Sequence, residues 1–158
     1  MNRAALIVDD DADIRTGLSL ILRKNEVECG FAASAQEALE ILKHQHFGLV
    51  FTDLKMPEMD GLELLRVIKK RWPKTIVIVI TGFGSIETAV EAMSAGAYHY
   101  ITKPFSRREL LARVRNFADL RGFEQTLKQR NSDLERALAN EQEALLREQE
   151  ARDRAIRA

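Results

Sequence analysis

Cysteine is nearly missing from this 158-residue chain. The single Cys29 allows no internal disulfide and no cysteine-based metal cluster, which suits a reducing compartment. Net charge is missing too, with 24 basic and 24 acidic residues, so the whole-chain balance gives no electrostatic reason to expect nucleic acid or an anionic membrane as partner. Long apolar runs are absent: the longest, "TIVIVI", is far too short to span a bilayer, and no basic and apolar leader precedes "ALIVDDD". The expectation is a cytoplasmic protein without a membrane partner. Helix breakers are confined to one part of the chain. All three prolines (Pro57, Pro73, Pro104) and all eight glycines lie at or before Gly122, and the last aromatic residue is Phe123.

What is present divides accordingly. Short apolar runs at 5–8, 28–33, 49–52, 75–80 and 98–101 suit strands of a sheet covered on both faces. Between them stand helical periodicities: Ile14, Leu18, Ile21 and Leu22; Ala38, Leu39, Ile41 and Leu42; Leu62, Leu65 and Ile68; Ile86, Val90 and Met93. Ser34 with Glu37 and Ser106 with Glu109 fit the capping-box spacing, and Asp60 is placed to cap the third helix. Five strand–helix repeats with short connections predict an α/β fold with a doubly wound parallel sheet, whose functional crevice lies beyond the carboxyl ends of the strands.

Polar residues collect at that edge. Asp9, Asp10 and Asp11 follow the first strand, Asp53 the third, Thr81 the fourth and Lys103 the fifth. If the first and third strands are neighbours, Asp9, Asp10 and Asp53 crowd together, and like charges there raise one another's pKa. A hard divalent cation resolves the conflict. An oxygen-only donor set favours Mg²⁺ over zinc. Lys103 suits one phosphoryl oxygen, and the Thr81 hydroxyl can donate a hydrogen bond to another. Such a carboxylate is a weak nucleophile, but phosphoryl transfer chiefly needs alignment and neutralised charge.

The blocks "LIVDDD", "TDLKMPEMDG", "ITGFGS" and "YITKPF", in this order and spacing, resemble a response regulator receiver domain of the two-component, nitrogen-regulatory type over roughly residues 3–120. The resemblance implies a flavodoxin-like sheet of order 2-1-3-4-5, with Asp53 accepting a phosphoryl group from a histidine kinase or phosphotransfer protein. It implies Asp10 and Asp53 as direct Mg²⁺ ligands, Asp9 as a ligand through water, and Lys55 as a ligand through its backbone carbonyl. Tyr100 matches the family's rotating aromatic, which fills the space vacated when Thr81 is drawn toward the phosphoryl group and so remodels the face of helix four, strand five and helix five. The bond from Lys103 to Pro104 resembles the family's cis peptide, and Lys55 and Phe83 occupy positions that tune dephosphorylation. The chain would be a phosphoacceptor, not an enzyme acting on other substrates. A phosphohydrolase with an aspartyl intermediate would want a second acid where Lys55 stands.

Several residues admit plainer roles. Asp11 and Asp13 suit the start of helix one; Cys29 reads as a small core residue, and His44 and His46 as solvated. His99 reads as an exposed strand residue. Tyr98, Tyr100 and Phe105 could be ordinary packing.

The expected division is a receiver over 1–120 and a helical extension over 121–158, continuous with the fifth helix. In a heptad frame with Phe117 at a, the d positions hold Leu120, Leu127 and Leu134, and later a positions hold Leu138 and Leu145. Asn131 falls at a, where a polar residue specifies a parallel pair at a cost in stability. Glu124, Glu141, Glu148 and Arg152 interrupt the seam. The expectation is a parallel homodimeric coiled coil, best over 117–145; the alternative is a solvated single helix. Gly122, a helix-interior glycine at the join, is a candidate hinge. Two functions remain: a phosphorylation-driven switch passing through the coil, or a constitutive dimerisation scaffold that keeps the receiver fold. No second globular domain and no basic recognition helix is read in these residues, so direct nucleic-acid binding is not expected.

Overall fold

The strands and helices alternate strictly in the computed structural model, which describes residues 4–157, the side chains of 116–125 excepted. The order is β1 (Ala4–Val8), α1 (Ala12–Arg23), β2 (Glu28–Ala32), α2 (Ala35–His44), β3 (Leu49–Thr52), α3 (Gly61–Arg71), β4 (Ile76–Thr81), α4 (Ile86–Ser94), β5 (His99–Thr102) and α5 (Arg107–Arg157). All five strands are parallel, in the order β2-β1-β3-β4-β5. This is the expected flavodoxin-like sheet.

Two-residue periodicity divides the apolar strand residues between the two faces. Leu6, Val8, Val50, Val77 and Val79 join Ala38, Leu64, Leu65 and Ile68 in one core cluster under α2 and α3. Ile7, Phe51 and Ile78, of the opposite parity, are equally buried. Right-handed crossovers put α1 on that second face, because the chain leaves β1 in the direction opposite to its later steps. Leu18 and Leu22 of α1 are buried there.

Helix starts follow local chemistry. Asp11, Ser34, Asp60 and Ser85 each occupy an N-cap and accept a backbone N–H two or three residues on. The Ser34 box is modified: Glu37 reaches back to the Ala33 N–H at 2.8 Å rather than to that of Ser34. Ser106 accepts the Glu109 N–H as its spacing predicts.

The apolar stripe of α4 lies outward. Ile86, Val90 and Met93 do not face the sheet: they are 82%, 60% and 48% exposed, while Ala92 is the fully buried residue of α4. Ala92, rather than the bulky stripe, is the residue of α4 that joins the core cluster.

The chain forms two units, Met1–Arg113 and Val114–Ala158. The second is helical throughout its described length, and its side chains at Leu127, Asn131, Leu134, Leu138 and Leu145 are all exposed. Phe117, Leu120 and Gly122 lie outside the residues whose side chains are described. Among the described residues no helix is long and apolar enough to cross a membrane.

Candidate functional site

Register delivers the carboxylates to one place. β1 pairs with β3 through Val8 and Thr52, so the residues that follow them, Asp9 and Asp53, emerge side by side. Both tips are tied down: the Asp9 N–H donates to the Ala32 carbonyl and the Asp53 N–H to the Val8 carbonyl, each at 3.1 Å. Arg15 of α1 donates to the Asp9 carbonyl at 2.6 Å. On the far side, Thr81 ends β4 rather than following it, and its carbonyl accepts the Lys103 N–H at 2.8 Å. The 103–104 peptide bond is cis, as the resemblance implies.

These tips line a cleft of about 590 Å³, bounded by Asp9, Asp10, Asp53, Lys55, Phe83 and Lys103, among others. Lys103 Nζ bridges two carboxylates, 3.0 Å from Asp9 Oδ2 and 3.2 Å from Asp53 Oδ2. Asp9 and Asp53 are buried and Asp10 is exposed. Burial pushes the Asp9 carboxyl above its ordinary value, with the Asp53 charge adding to the effect, and this outweighs the Asp11 N–H and Lys103 that oppose it. Burial acts on Lys103 in the opposite sense. Its hydrogen bonds and charge contacts with Asp9 and Asp53 prevail, and its pKa lies above the usual lysine value.

One atom at the site is left over. Asp53 Oδ1 is buried and has no hydrogen-bond partner. A buried carboxylate oxygen without a donor is costly unless something positive reaches it. Asp9, Asp10 and Asp53 each offer an oxygen within 4.8 Å of the others. An all-oxygen set of this kind fits Mg²⁺.

The expected modulators also meet. Lys55 Nζ lies 4.4 Å from the centroid of the Phe83 ring, a cation–π contact at the edge of the cleft. Thr81 Oγ1 accepts the Phe83 N–H at 3.1 Å, which leaves its own proton free for another acceptor. Tyr100 is half-buried and its hydroxyl lies 2.9 Å from Thr88 Oγ1, so it does more than pack.

The structure bears out some of the plainer roles and corrects others. Asp11 caps α1 and accepts the Asp13 N–H, and His44 is exposed beside Glu40. Cys29 is half-buried on the edge strand β2 rather than a core residue, with its thiol pKa raised by burial. His99 is half-buried with its ring edge-on to Tyr98, not fully exposed, and burial lowers its pKa with help from Arg113.

Sequence reasoning overlooked Gly61. A Cβ there would drive into the Asp53 backbone carbonyl oxygen, so only glycine lets α3 start this close to the site. The signal was a glycine in the first turn of a helix, directly after a capping aspartate.

Comparison with known proteins agrees with this geometry. The family model of the response regulator receiver domain matches residues 5–115. The response regulator protein PilR of Pseudomonas aeruginosa is 42% identical over 118 residues, covering 71% of this chain and 26% of that protein. A putative NtrX-like response regulator of Rickettsia bellii is 43% identical over 131 residues, covering 82% of this chain and 27% of its own length. Among solved structures, a CheY-like receiver domain protein from Methanospirillum hungatei superimposes with a TM-score of 0.73 at 37% identity, covering 77% of this chain and 97% of that one. The chain therefore spans about a quarter of the length of the curated relatives it matches.

Proposed function

The chain belongs to the response regulator receiver domain family of two-component signalling, and on that premise we propose that Asp53 accepts a phosphoryl group from a histidine kinase or phosphotransfer protein. The observation that carries this is Asp53 itself: buried at a strand tip, held by Lys103 through one oxygen, and presenting the other, unpartnered, in the cleft.

An Asp53 carboxylate oxygen attacks phosphorus in line as the bond to the donor imidazole nitrogen breaks. Lys103 is placed to leave its carboxylate contacts for a phosphoryl oxygen, and the spare Thr81 proton serves a second. Asp9, Asp10, Asp53 and the Lys55 carbonyl would hold Mg²⁺, which would supply positive charge against that of the carboxylates and the phosphoryl group. The 1–120 segment is then the receiver and 121–158 a coiled-coil extension. The exposed leucines at the a and d positions of the second unit support a parallel homodimer through which Tyr100 and the face of α4, β5 and α5 pass the signal, with Gly122 as the hinge.

The test is incubation with Mg²⁺ and acetyl phosphate, followed by intact mass. Wild type should gain one phosphoryl group, and Asp53→Asn none. Unmodified wild type, or equal labelling of the variant, would overturn the assignment.

A further inference from the structure

Thr88, in the first turn of α4, bonds in two directions. Its Oγ1 accepts the Ser85 N–H at 2.9 Å and lies 3.1 Å from the Ser85 carbonyl oxygen. It also lies 2.9 Å from Tyr100 Oη. A hydroxyl has one proton and two acceptor sites. The Ser85 N–H takes one acceptor site, and the Ser85 carbonyl and Ser85 Oγ, each 3.1 Å away, are partners on the same side. On its other side Thr88 Oγ1 shares a hydrogen bond with the Tyr100 hydroxyl. Tyr100, a residue of β5, thereby completes the N-cap of a helix that follows β4.

The loop between them is close-packed on the same ring. A Cβ at Gly84 would stand 2.9 Å from Tyr100 Oη and 2.9 Å from Thr102 Cγ2. At its other end the loop is held by the Thr81 hydroxyl, which accepts the Phe83 N–H. Thr81 and Tyr100 thus anchor the two ends of one four-residue connection.

From this geometry we infer that Thr88 is a positioning residue for the response to phosphoryl transfer: it holds the Tyr100 ring in its unphosphorylated position and makes that position part of the cap of α4. The inference rests on the phosphoacceptor reading. Withdrawal of Tyr100 toward Thr81 and loosening of the first turn of α4 are then one event. Removing the bond lowers the cost of leaving the unphosphorylated state, so a ligand that favours the other state binds more tightly.

The test uses the full chain with Mg²⁺ and beryllofluoride, together with amide hydrogen exchange before the mimic is added. Tyr100→Phe keeps the ring and loses its hydroxyl; Thr88→Val keeps the shape and loses its hydroxyl; Thr88→Ser restores it. Tyr100→Phe and Thr88→Val should each bind beryllofluoride roughly three- to tenfold more tightly, the size of one net hydrogen bond, and the double variant no more tightly than either. Thr88→Ser should return toward wild type. Tyr100→Phe, whose substitution lies on another element, should speed exchange of the Ser85 and Thr88 amides severalfold in the unligated protein. Unchanged exchange in Tyr100→Phe, or affinity effects that simply add, would leave Thr88 an ordinary cap and overturn the inference. If wild type takes up no beryllofluoride, the phosphoacceptor reading falls and the switch role of Thr88 with it, while exchange still decides whether Tyr100 belongs to the cap.

Discussion

At the site, Asp9 is held against the stability of the fold and Lys103 in its favour. Asp9 is buried and its pKa is raised, so between its unfolded value near 3.8 and its higher folded value the native state retains a proton that the unfolded chain has lost. Its contribution to stability therefore falls as pH rises through that window, opposite to a salt-bridged surface carboxylate. Lys103 is raised as well. Its contribution is full below 10.5 and is lost as pH climbs through the folded value above that. Asp9→Asn should accordingly raise the melting temperature in metal-free buffer at neutral pH, by about 1 kcal/mol or roughly 3 °C, while weakening Mg²⁺ binding measured by titration. An unchanged or lower melting temperature would show that Lys103 fully offsets the burial of Asp9. Gly61→Ala acts in the other direction: the Asp53 carbonyl has nowhere to go, and a loss of about 1–3 kcal/mol is expected in urea denaturation, together with slower phosphoryl uptake. The two variants separate a residue kept for chemistry from one kept for shape.

At the scale of elements, α3 and α4 carry similar apolar periodicity and bury it differently. Ile68 is fully buried against the sheet, whereas Ile86 is 82% exposed. Ile68→Ala should cost about 2–5 kcal/mol by denaturant titration, and Ile86→Ala no more than about 0.5 kcal/mol. Equal costs would mean that the stripe on α4 is covered in solution. This contrast marks where the sequence stopped being legible. Strand runs, caps and the carboxylate-bearing tips were readable because each rests on local chemistry: two-residue alternation, an Asp or Ser before a helix, a polar residue at the end of an apolar run. The outward face of α4 was not, since periodicity reports an apolar stripe without saying which side of the helix meets the sheet. Ala89 and Ala92 were too small to draw notice beside Ile86 and Val90. The Lys55–Phe83 contact and the Tyr100–Thr88 bond were equally hidden, because each joins residues far apart in the sequence that only the fold brings together.

Across the whole molecule, a balanced net charge conceals two units with different needs. The first buries most of its strand residues within itself; the second leaves Leu127 at 43%, Leu134 at 62%, Leu138 at 58% and Leu145 at 59% exposure. A single helix gains little from such a stripe, and a second copy would remove it from water. The heptad also indicates where pairing should fade. Glu148 at d and Arg152 at a bind each other within one helix, 2.8 Å apart, so these seam positions satisfy themselves instead of a partner. Leu134→Glu with Leu138→Glu should therefore convert a sedimenting dimer to monomer, whereas Glu148→Ala with Arg152→Ala should leave it dimeric or tighten it. Labelling of Asp53 by acetyl phosphate should be unchanged in both double variants and in their combination, since none of the four residues lies in the first unit. A wild-type chain that sediments as a monomer with and without beryllofluoride would remove the coil from the signalling path. A dimer of equal strength in both conditions would instead favour a constitutive scaffold, leaving the receiver to act through the orientation of its two copies rather than through their association.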